Sequence, residues 1–382
     1  MQTLNSQYDI AIVGGGLAGL SAAILLARSG RSVVLFEKEK YPYHKVCGEY
    51  ISMESWPFLQ SLGMPLKDMD LPIIDSLLIT APNGKSFHTK LPLGGFGISR
   101  YTLDHHLAEI AKEAGVHIFE NTKVNEIQQR DTFFLNTSST SVETQVVKAR
   151  VCCAAFGKKS NIDVKWKRTF LNQKQLNNYV GVKYHIETNW PKCLIGLHNF
   201  QDGYCGISKV DGNKYCLCFM TTSTNLKKHA NDITRLQNEL LSCNPHLKQI
   251  FQSCKVLPGF PITISQINFN NKTVVENGVL MLGDAAGMIT PLSGNGMSIA
   301  LHTGKIAANL IDKYFEGEIT ISELEKKYTT EWKKQFSKRM WIGRLLQKFF
   351  GSNRLSNFSV GTFKALPFLA KPLIRLTHGK EF

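Results

Sequence analysis

The sequence predicts an α/β protein in which an antiparallel β-sheet is inserted into a discontinuous parallel-sheet domain, and a basic helical tail follows. A strand, a glycine-rich turn, a helix and a second strand succeed one another over residues 8–37. A similar strand, turn and helix occupy residues 278–314, and β-favouring runs separated by turns fill residues 179–223. Because the two glycine-rich turns lie near opposite ends of the chain, the domain that contains both has to be discontinuous.

The composition indicates a folded, basic chain. Its 382 residues are 43% hydrophobic and 20% charged, which excludes a disordered protein, and they carry a formal net charge of +15. Nine cysteines without a CxxC pair argue against a metal site or a disulfide framework. The amino terminus leads into a strand with no secretory signal, so we expect a cytoplasmic protein. The apolar residues 277–304 include six glycines and a proline, which favours strand, loop and helix over a membrane span.

The first glycine-rich turn has the residues of a dinucleotide site. Tyr8–Val13 is the first strand, and Ser32–Phe36 is the second. The glycines between them permit a tight turn, the approach of backbone N–H groups to a pyrophosphate and close packing of helix on strand. An acid beyond the second strand can accept hydrogen bonds from ribose hydroxyls. The candidate binding residues are Gly14, Gly16, Leu17, Ala18, Gly19, Glu37 and Lys38.

The second glycine-rich turn decides between NAD and FAD. The strand Gly278–Leu282 is followed by Gly-Asp, then by Pro-Leu-Ser-Gly-Asn-Gly, and then by a helix over Met297–Tyr314. At this point the sequence resembles the FAD-dependent oxidoreductases of the p-hydroxybenzoate hydroxylase superfamily. The resemblance implies a Rossmann-like FAD-binding domain in which Asp284 holds the ribityl chain and the next helix points its positive end at the flavin. The candidates are Gly283, Asp284, Pro291, Gly294, Asn295 and Gly296.

Two further segments fit this resemblance. Arg100 precedes a predicted helix, where the superfamily has an arginine that contacts the cofactor; the alternative is an arginine paired with a surface acid. Residues 41–52 resemble the Pro-x-x-Lys-x-Cys-Gly segment of the geranylgeranyl reductase family. Lys45 is expected to neutralise cofactor phosphate, and Cys47 and Gly48 to let the backbone approach the flavin. Cys47 is also the candidate catalytic residue, and its alternative is an inert, packed thiol.

The resemblance implies an FAD-dependent reductase that passes hydride from flavin N5 to carbon–carbon double bonds of a hydrophobic isoprenoid or lipid-like substrate. Two alternatives stay open: a flavin-dependent monooxygenase acting on a hydrophobic, aromatic or polyketide substrate, and a non-catalytic flavin-binding or electron-transfer protein. The hydroxylases usually have Asp-Gly where this chain has Phe156-Gly157. The reductant is therefore NAD(P)H or a separate reduced electron donor. No two of the five tryptophans have the Trp-x-Trp spacing of the halogenase branch, which disfavours halogenation.

The domain organisation follows from these placements. The FAD-binding domain is predicted over residues 1–72, 97–162 and 265–320, and the substrate domain over residues 73–96 and 163–264. A Pro-Asn-Gly-Lys hairpin signal lies between two β-favouring runs in the first substrate segment. Alternating aromatic residues of the second segment are expected to be core, with a role in lining the substrate site as the alternative. They include Tyr184, Phe200, Tyr204, Tyr215 and Phe219.

The tail, residues 321–382, is predicted to be helical and carries most of the excess charge. Residues 326–382 hold 13 lysines and arginines against Glu331 and Glu381. Apolar side chains such as Trp332, Phe336 and Trp341 recur at helical spacing, which is typical of an amphipathic helix. Such a helix either contacts an anionic membrane or caps the substrate domain. No nucleic-acid motif accompanies the charge, so we expect no nucleic-acid partner, and the sequence leaves the oligomeric state open.

Overall fold

The computed structural model describes residues 7–139, 145–171, 178–290, 294–350, 352–370, 372, 374 and 379–382. The strands are β1 (Gln7–Val13), β2 (Val33–Phe36), β3 (Tyr50–Ser52), β4 (Ile73–Thr80), β5 (Ser86–Gly97), β6 (His117–Phe119), β7 (Thr122–Gln129), β8 (Phe133–Ser139), β9 (Gln145–Ala154), β10 (Tyr179–Glu187), β11 (Leu194–Phe200), β12 (Gly203–Lys209), β13 (Tyr215–Thr222), β14 (Lys255–Val256), β15 (Ile262–Ile267), β16 (Val275–Glu276) and β17 (Val279–Met281). The helices are α1 (Leu17–Arg28), α2 (Trp56–Ser61), α3 (Arg100–Glu113), α4 (Asn161–Lys165), α5 (Ser223–Lys228), α6 (Ile233–Glu239), α7 (Pro245–Ser253), α8 (Gly296–Phe315), α9 (Ile321–Phe350) and α10 (Asn353–Ala365).

The first sheet is built around parallel strands from both ends of the chain. Its order is β16-β17-β9-β1-β2-β6, and β1 lies between β2 and β9, parallel to both. The hairpin of β7 and β8 joins the sheet through β9. Residues 10–13 of β1 and all of β2 are runs of consecutive apolar residues because helices or loops cover both faces of a parallel sheet. The predicted α/β fold class is confirmed.

The second sheet is mainly antiparallel and has the order β14-β10-β13-β12-β11-β4-β5-β3, with β15 also pairing with β10. The predicted hairpin is confirmed as β4 and β5, and the predicted turns lie between β11 and β12 and between β12 and β13. One pair, β4 with β11, is parallel. The short strand β3 also joins this sheet, through β5. The predicted domain limits stay a prediction.

The two faces of the second sheet have different neighbours, as the period of two in a strand requires. In β10, Val182 and Tyr184 pack in one cluster with Leu236 and Leu247 of the α6–α7 layer. Lys183, between them in sequence, points to the opposite face, where its ammonium contacts the backbone of residue 45. The second sheet therefore turns one face to its own helices and the other to the segment that follows β2.

Helices α1 and α8 cross at a contact that has no room for a side chain. A Cβ at Gly304 of α8 would lie 2.2 Å from Ser21 Oγ and 2.6 Å from the Ala18 carbonyl oxygen of α1. At the amino end of the same contact, a Cβ at Gly283 would lie 3.2 Å from Ala18 Cβ. This crossing brings the two glycine-rich turns together although they are far apart in sequence.

The tail forms helices α9 and α10, as predicted. Tyr328, Phe336 and Met340 of α9 are buried in the core of the first domain, and the Tyr328 hydroxyl donates to the Met281 carbonyl at 2.6 Å. Further along, Ile342 and Leu346 pack beside the β4–β5 hairpin. One face of the tail is thus part of the protein core. Within the described part of the chain, no helix has both the length and the hydropathy to cross a bilayer.

Gly304→Ala is expected to lower the free energy of unfolding by about 1–3 kcal/mol, because the added methyl group overpacks the α1–α8 contact. Helix propensity alone predicts the opposite sign, since alanine is favoured over glycine in a helix by about 1 kcal/mol. Urea unfolding followed by circular dichroism measures the change.

The matched control is Gly361→Ala in α10, whose Cβ would meet only the Lys85 ammonium, at 3.9 Å. It should leave stability unchanged or raise it by up to about 1 kcal/mol. Equal effects of the two substitutions would contradict the close α1–α8 contact.

Candidate functional site

The first glycine-rich turn joins β1 to α1 and requires glycine for steric reasons. Gly14 has φ +109, and a Cβ there would lie 2.4 Å from the Ala155 carbonyl oxygen. The backbone N–H of Gly15 donates to Glu37 Oε2 at 2.8 Å, so this carboxylate also fixes the turn from the end of β2. Lys38 is exposed and lies 3.6 Å from Glu39. Its predicted contact with the cofactor stays a prediction, as does the ribose contact of Glu37.

The second glycine-rich turn lies between β17 and α8. The Gly283 N–H donates to Thr303 Oγ1 of α8 at 2.9 Å, which anchors the turn to the helix. Burial raises the pKa of Asp284, and the charges of Lys272, Arg100 and Lys158 oppose that rise. The turn therefore places a partly desolvated carboxylate beside several cations.

The helix that follows the second turn begins where the sequence predicts it. Asn295 is the residue before α8 and Gly296 is its first residue. Gly294 has φ +65 and lies against the ring of Tyr50. Pro291 lies outside the described residues. The amino end of α8 thus points its free N–H groups towards β3 and the segment that precedes it.

Arg100 is paired, but with a buried acid and not with a surface one. Its guanidinium makes two hydrogen bonds to Asp104, at 2.7 and 2.8 Å, and Lys45 Nζ lies 2.8 Å from the same carboxylate. Two cations share one anion, which leaves one net positive charge. If Gly16 had a Cβ, the nearest atom to it would be Arg100 Nη2, at 3.8 Å. The cluster therefore presents its excess charge to the first glycine-rich turn.

Cys47 and Gly48 form a turn between this cluster and the second sheet. Nothing lies within 4 Å of the place where a Cβ of Gly48 would be, so its outer side is open. The carbonyl of Cys47 accepts from Cys216 Sγ at 3.2 Å, and the carbonyl of Gly48 accepts from Ser208 Oγ at 3.3 Å. Burial raises the pKa of the Cys47 thiol despite the charge of Arg100. The thiol is therefore protonated at neutral pH, which argues against a standing thiolate nucleophile.

Glu49 fixes this turn and was missed by sequence reasoning. Its fully buried carboxylate accepts from Lys183 Nζ at 2.5 Å, from His185 Nε2 at 2.6 Å and from the Arg100 backbone N–H at 2.7 Å. Burial alone would raise the pKa of Glu49, but the hydrogen bond from His185 and the charge of Lys183 lower it. The residue has φ +56, a left-handed backbone that is unusual for a side chain of this size. One carboxylate thus connects the turn, strand β10 and helix α3.

Glu49, His185 and Cys216 also have the spacing of metal ligands, since their donor atoms lie within 4.8 Å of one another. The ammonium of Lys183 already neutralises Glu49 within this group. A divalent cation there would face that charge at short range, so we interpret the cluster as an ion-pair network.

Two lysines near the second glycine-rich turn were also missed. Lys272 Nζ donates to the carbonyl oxygens of Asp284 and Lys158, at 2.7 and 2.6 Å. Burial lowers the pKa of Lys272 to about 8, against the charge of Asp284. Burial and the neighbouring Lys159 lower the pKa of Lys158 to about 8 as well. An anion bound near these lysines would raise their pKa values, because a negative charge favours the protonated form.

An apolar cluster lies on the face of the second sheet that is opposite the α6–α7 layer. Tyr204, Met220 and Ile267 are its buried members, and Met288 packs against them from just beyond Asp284. Tyr179, Leu197, Ile264 and Phe269 complete the set, which we call the β12–β13 apolar cluster. Of the aromatic residues singled out in the sequence, Tyr204 belongs to it. Tyr184, Phe200, Tyr215 and Phe219 pack instead with the helices on the opposite face, and are core.

These residues fit a bound FAD in three respects. The first glycine-rich turn is open at Gly16, where Arg100 Nη2, at 3.8 Å, is the nearest atom to the position of a Cβ. The charge around Asp284 and Arg100 suits a pyrophosphate and a ribityl chain. At the α8 end, Thr290 Oγ1 and Ser298 Oγ are buried without a hydrogen-bond partner among the described residues, and the polar edge of a flavin would satisfy such hydroxyls.

Comparison with known proteins agrees with this geometry. The family described as "FAD binding domain" matches residues 7–334. A relative named "Conditioned medium factor receptor 1", from Dictyostelium discoideum, is 25% identical over 369 residues, which are 90% of this chain and 71% of the relative. A digeranylgeranylglycerophospholipid reductase from Methanococcus vannielii is 24% identical over 357 residues, which are 88% of this chain and 85% of the reductase.

Solved structures share the fold at lower identity. A geranylgeranyl bacteriochlorophyll reductase-like protein from Thermoplasma acidophilum superposes with a TM-score of 0.81 at 17% identity, covering 99% of this chain and 97% of that protein. The flavin-dependent brominase Bmp2 superposes with a TM-score of 0.80 at 18% identity, covering 97% of this chain and 93% of the brominase. At these identities the likeness concerns the fold.

Glu49→Gln is expected to lower the free energy of unfolding by about 3–5 kcal/mol, because it leaves the buried Lys183 ammonium without its carboxylate. Adding Lys183→Met to the same chain removes the unpaired charge and should recover most of the loss. Urea unfolding is measured for four chains purified with their flavin: the unsubstituted protein, Glu49→Gln, Lys183→Met and the double variant. If the two losses simply add, Glu49 and Lys183 do not interact.

FAD affinity is expected to fall by about tenfold or more as the pH rises from about 7 to about 9. With pKa values near 8, Lys272 and Lys158 are protonated below that pH and neutral above it, and an anionic cofactor binds the protonated form. Titration of the apoprotein with FAD, followed by flavin fluorescence, gives the profile. Lys272→Met should weaken binding at pH 7 and flatten the profile, and a flat profile in the unsubstituted protein would contradict this role.

Proposed function

This chain belongs to the FAD binding domain family, and we propose that it is an FAD-dependent oxidoreductase that reduces carbon–carbon double bonds of a hydrophobic isoprenoid or lipid-like substrate. The observation that carries the proposal is the position of the β12–β13 apolar cluster. It lies against Met288, on the segment that continues from Asp284, so an apolar surface adjoins the place proposed for the cofactor. The names of the curated reductases support the same substrate class.

The two glycine-rich turns would hold the cofactor between them. Gly16 would receive the pyrophosphate at the amino end of α1, with Arg100 supplying positive charge, while Gly14 and Gly19 allow the tight turn and the close packing of helix on strand. Asp284 would accept from the ribityl hydroxyls. The amino end of α8, from Asn295 and Gly296, would face the flavin ring. FAD, when bound, supplies a carrier for two electrons and a hydride.

The second sheet would receive the substrate. The β12–β13 apolar cluster excludes water, and a long hydrocarbon gains free energy by leaving water, at about 25 cal/mol per Å² of buried apolar surface. Reduction of a double bond adds a hydride to one carbon and a proton to the other. Cys47 carries a protonated thiol next to the open side of Gly48, beside the proposed cofactor site. We propose it as the side chain that contacts the reacting carbons and supplies the proton.

The proposed source of the electrons rests on a position where this sequence differs from the hydroxylases. Phe156-Gly157 follows β9 and lacks the carboxylate that the hydroxylases usually have there. We propose that the reductant is a separate reduced electron donor, with NAD(P)H as the alternative. We also propose a cytoplasmic location for the protein.

The proposed reaction is tested by supplying a digeranylgeranyl glycerophospholipid to the purified protein with chemically reduced flavin under anaerobic conditions. We expect mass spectrometry to detect a product that has gained two hydrogens for each reduced double bond. Turnover that requires oxygen and adds an oxygen atom would replace the reductase with a monooxygenase. Purified protein without flavin would overturn the cofactor assignment.

Asp284→Ala is the companion variant, and it is expected to lose bound FAD, visible as loss of the yellow colour and of flavin absorbance. Asp68→Ala, at an exposed acid outside the site, should retain it. FAD affinity that is equal in the two variants would remove Asp284 from the site.

A further inference from the structure

The C-terminal helices expose an unusual amount of apolar surface. Seven large apolar side chains within residues 341–369 are between 40% and 72% exposed. Single exposed apolar residues are ordinary, but a group of this size marks an interaction site. We call the group the C-terminal apolar face; it consists of Trp341, Leu345, Leu355, Phe358, Leu366, Phe368 and Leu369.

The exposed residues of α9 form one stripe. Lys334 and Lys338 are exposed, and Trp341 and Leu345 follow them at helical spacing, so the stripe changes from basic to apolar along the helix. The opposite side of α9 is buried, with Phe336 in the core of the first domain. Packing inside the protein therefore does not account for Trp341, which is 60% exposed.

The same division into a buried and an exposed side holds in α10. Phe358 is 72% exposed, whereas Val360 is buried together with Leu346 of α9 and Phe87 of β5. Because both helices bury residues in this one cluster, their opposite sides both point away from it.

The segment that carries this face has a large excess of positive charge. Residues 332–380 contain no aspartate or glutamate and hold eleven lysines and arginines. Lys333, Arg354 and Lys364 are exposed near the apolar residues. Lys334 lies 3.4 Å from Glu331 and Arg339 lies 2.7 Å from Glu54, so two of these cations have acidic partners and the rest are in excess. Aromatic and aliphatic side chains among an excess of cations match an anionic lipid surface, where apolar groups enter the headgroup region and cations meet phosphate. A second copy of the chain would bring like charges together on the same face.

We propose that the C-terminal apolar face docks the protein on an anionic lipid bilayer and brings the substrate site next to the lipid. The connection is Leu197 of β11. It packs against the cluster that holds Leu346 and Val360, and also against the β12–β13 apolar cluster. Apolar contacts thus continue from the docked helices to the proposed substrate surface, so a lipid-like substrate need not cross water. This access route rests on the proposed function, whereas the docking itself does not.

The test is binding of the flavin-containing, full-length protein to vesicles of phosphatidylcholine with and without phosphatidylglycerol, measured by flotation. We expect binding to the vesicles with phosphatidylglycerol and its loss at high salt. Lys334→Gln with Lys338→Gln should weaken binding by about thirtyfold, from about fivefold for each basic residue near the surface. Trp341→Ser with Phe358→Ser should also weaken binding to the vesicles with phosphatidylglycerol.

The matched control is Lys255→Gln with Val256→Ser on β14, an exposed basic and an exposed apolar residue at the edge of the second sheet away from β4 and β5. It should bind as the unsubstituted protein does. Flavin content and activity on substrate in detergent micelles should be equal in all the chains, which separates loss of docking from failure of the proposed reaction.

Two results would overturn the proposal. One is vesicle binding that is absent, or that is unaffected by both pairs of substitutions in the tail. The other is a dimer in sedimentation that Trp341→Ser with Phe358→Ser converts to a monomer, because the face would then be an interface between copies of the chain.

Discussion

The structure depends on the contact between α1 and α8, where two helices from opposite ends of the sequence meet without an intervening side chain. Gly304 lies against the backbone of α1, and one end of this contact places Gly283 beside Ala18. A larger residue at 304 would push the helices apart and separate the two turns proposed to hold the cofactor. The inserted sheet can vary without changing this distance, because none of the atoms in the contact belongs to it.

The second sheet is positioned relative to those turns by charge. Glu49 accepts hydrogen bonds from β10, through Lys183 and His185, and from the first N–H of α3. A buried ion pair adds little net stability, since desolvation offsets its attraction. The hydrogen bonds of the ion pair are directional, however, whereas an apolar contact at the same place would allow the second sheet to shift relative to the turn. The left-handed backbone of Glu49 is therefore compatible with a role in setting position, and the Cys47–Gly48 turn takes its position from the same residue.

More of the fold than of the candidate site could be predicted from the sequence. Local patterns sufficed for β1, α1, α8 and the β4–β5 hairpin, because each has its own turn residues and periodicity. They could not reveal Asp104 as the partner of Arg100, nor Glu49 as the partner of Lys183, because those pairs depend on how separate elements pack. The sequence alone does not distinguish a buried acidic residue from an exposed one. The sequence shows that side chains of β12 alternate between two faces, with Tyr204 on one and Cys205 on the other. It does not show which of these faces adjoins the second glycine-rich turn.

The cations of this chain act in two different ways. Residues 1–325 hold 32 basic and 28 acidic residues, and near the site Arg100, Lys45 and Lys183 each contact a buried carboxylate. Burial has lowered the pKa of Lys158 and Lys272, so their charge depends on what binds beside them. The exposed lysines of α9 face no such network, and their field extends into solvent over about a Debye length. Short-range, paired charge suits one small anion held in a fixed orientation, whereas long-range charge of one sign suits an extended anionic surface. The net charge of the whole chain is the sum over both groups of cations, and the positions of the residues in the structure are needed to tell the two groups apart.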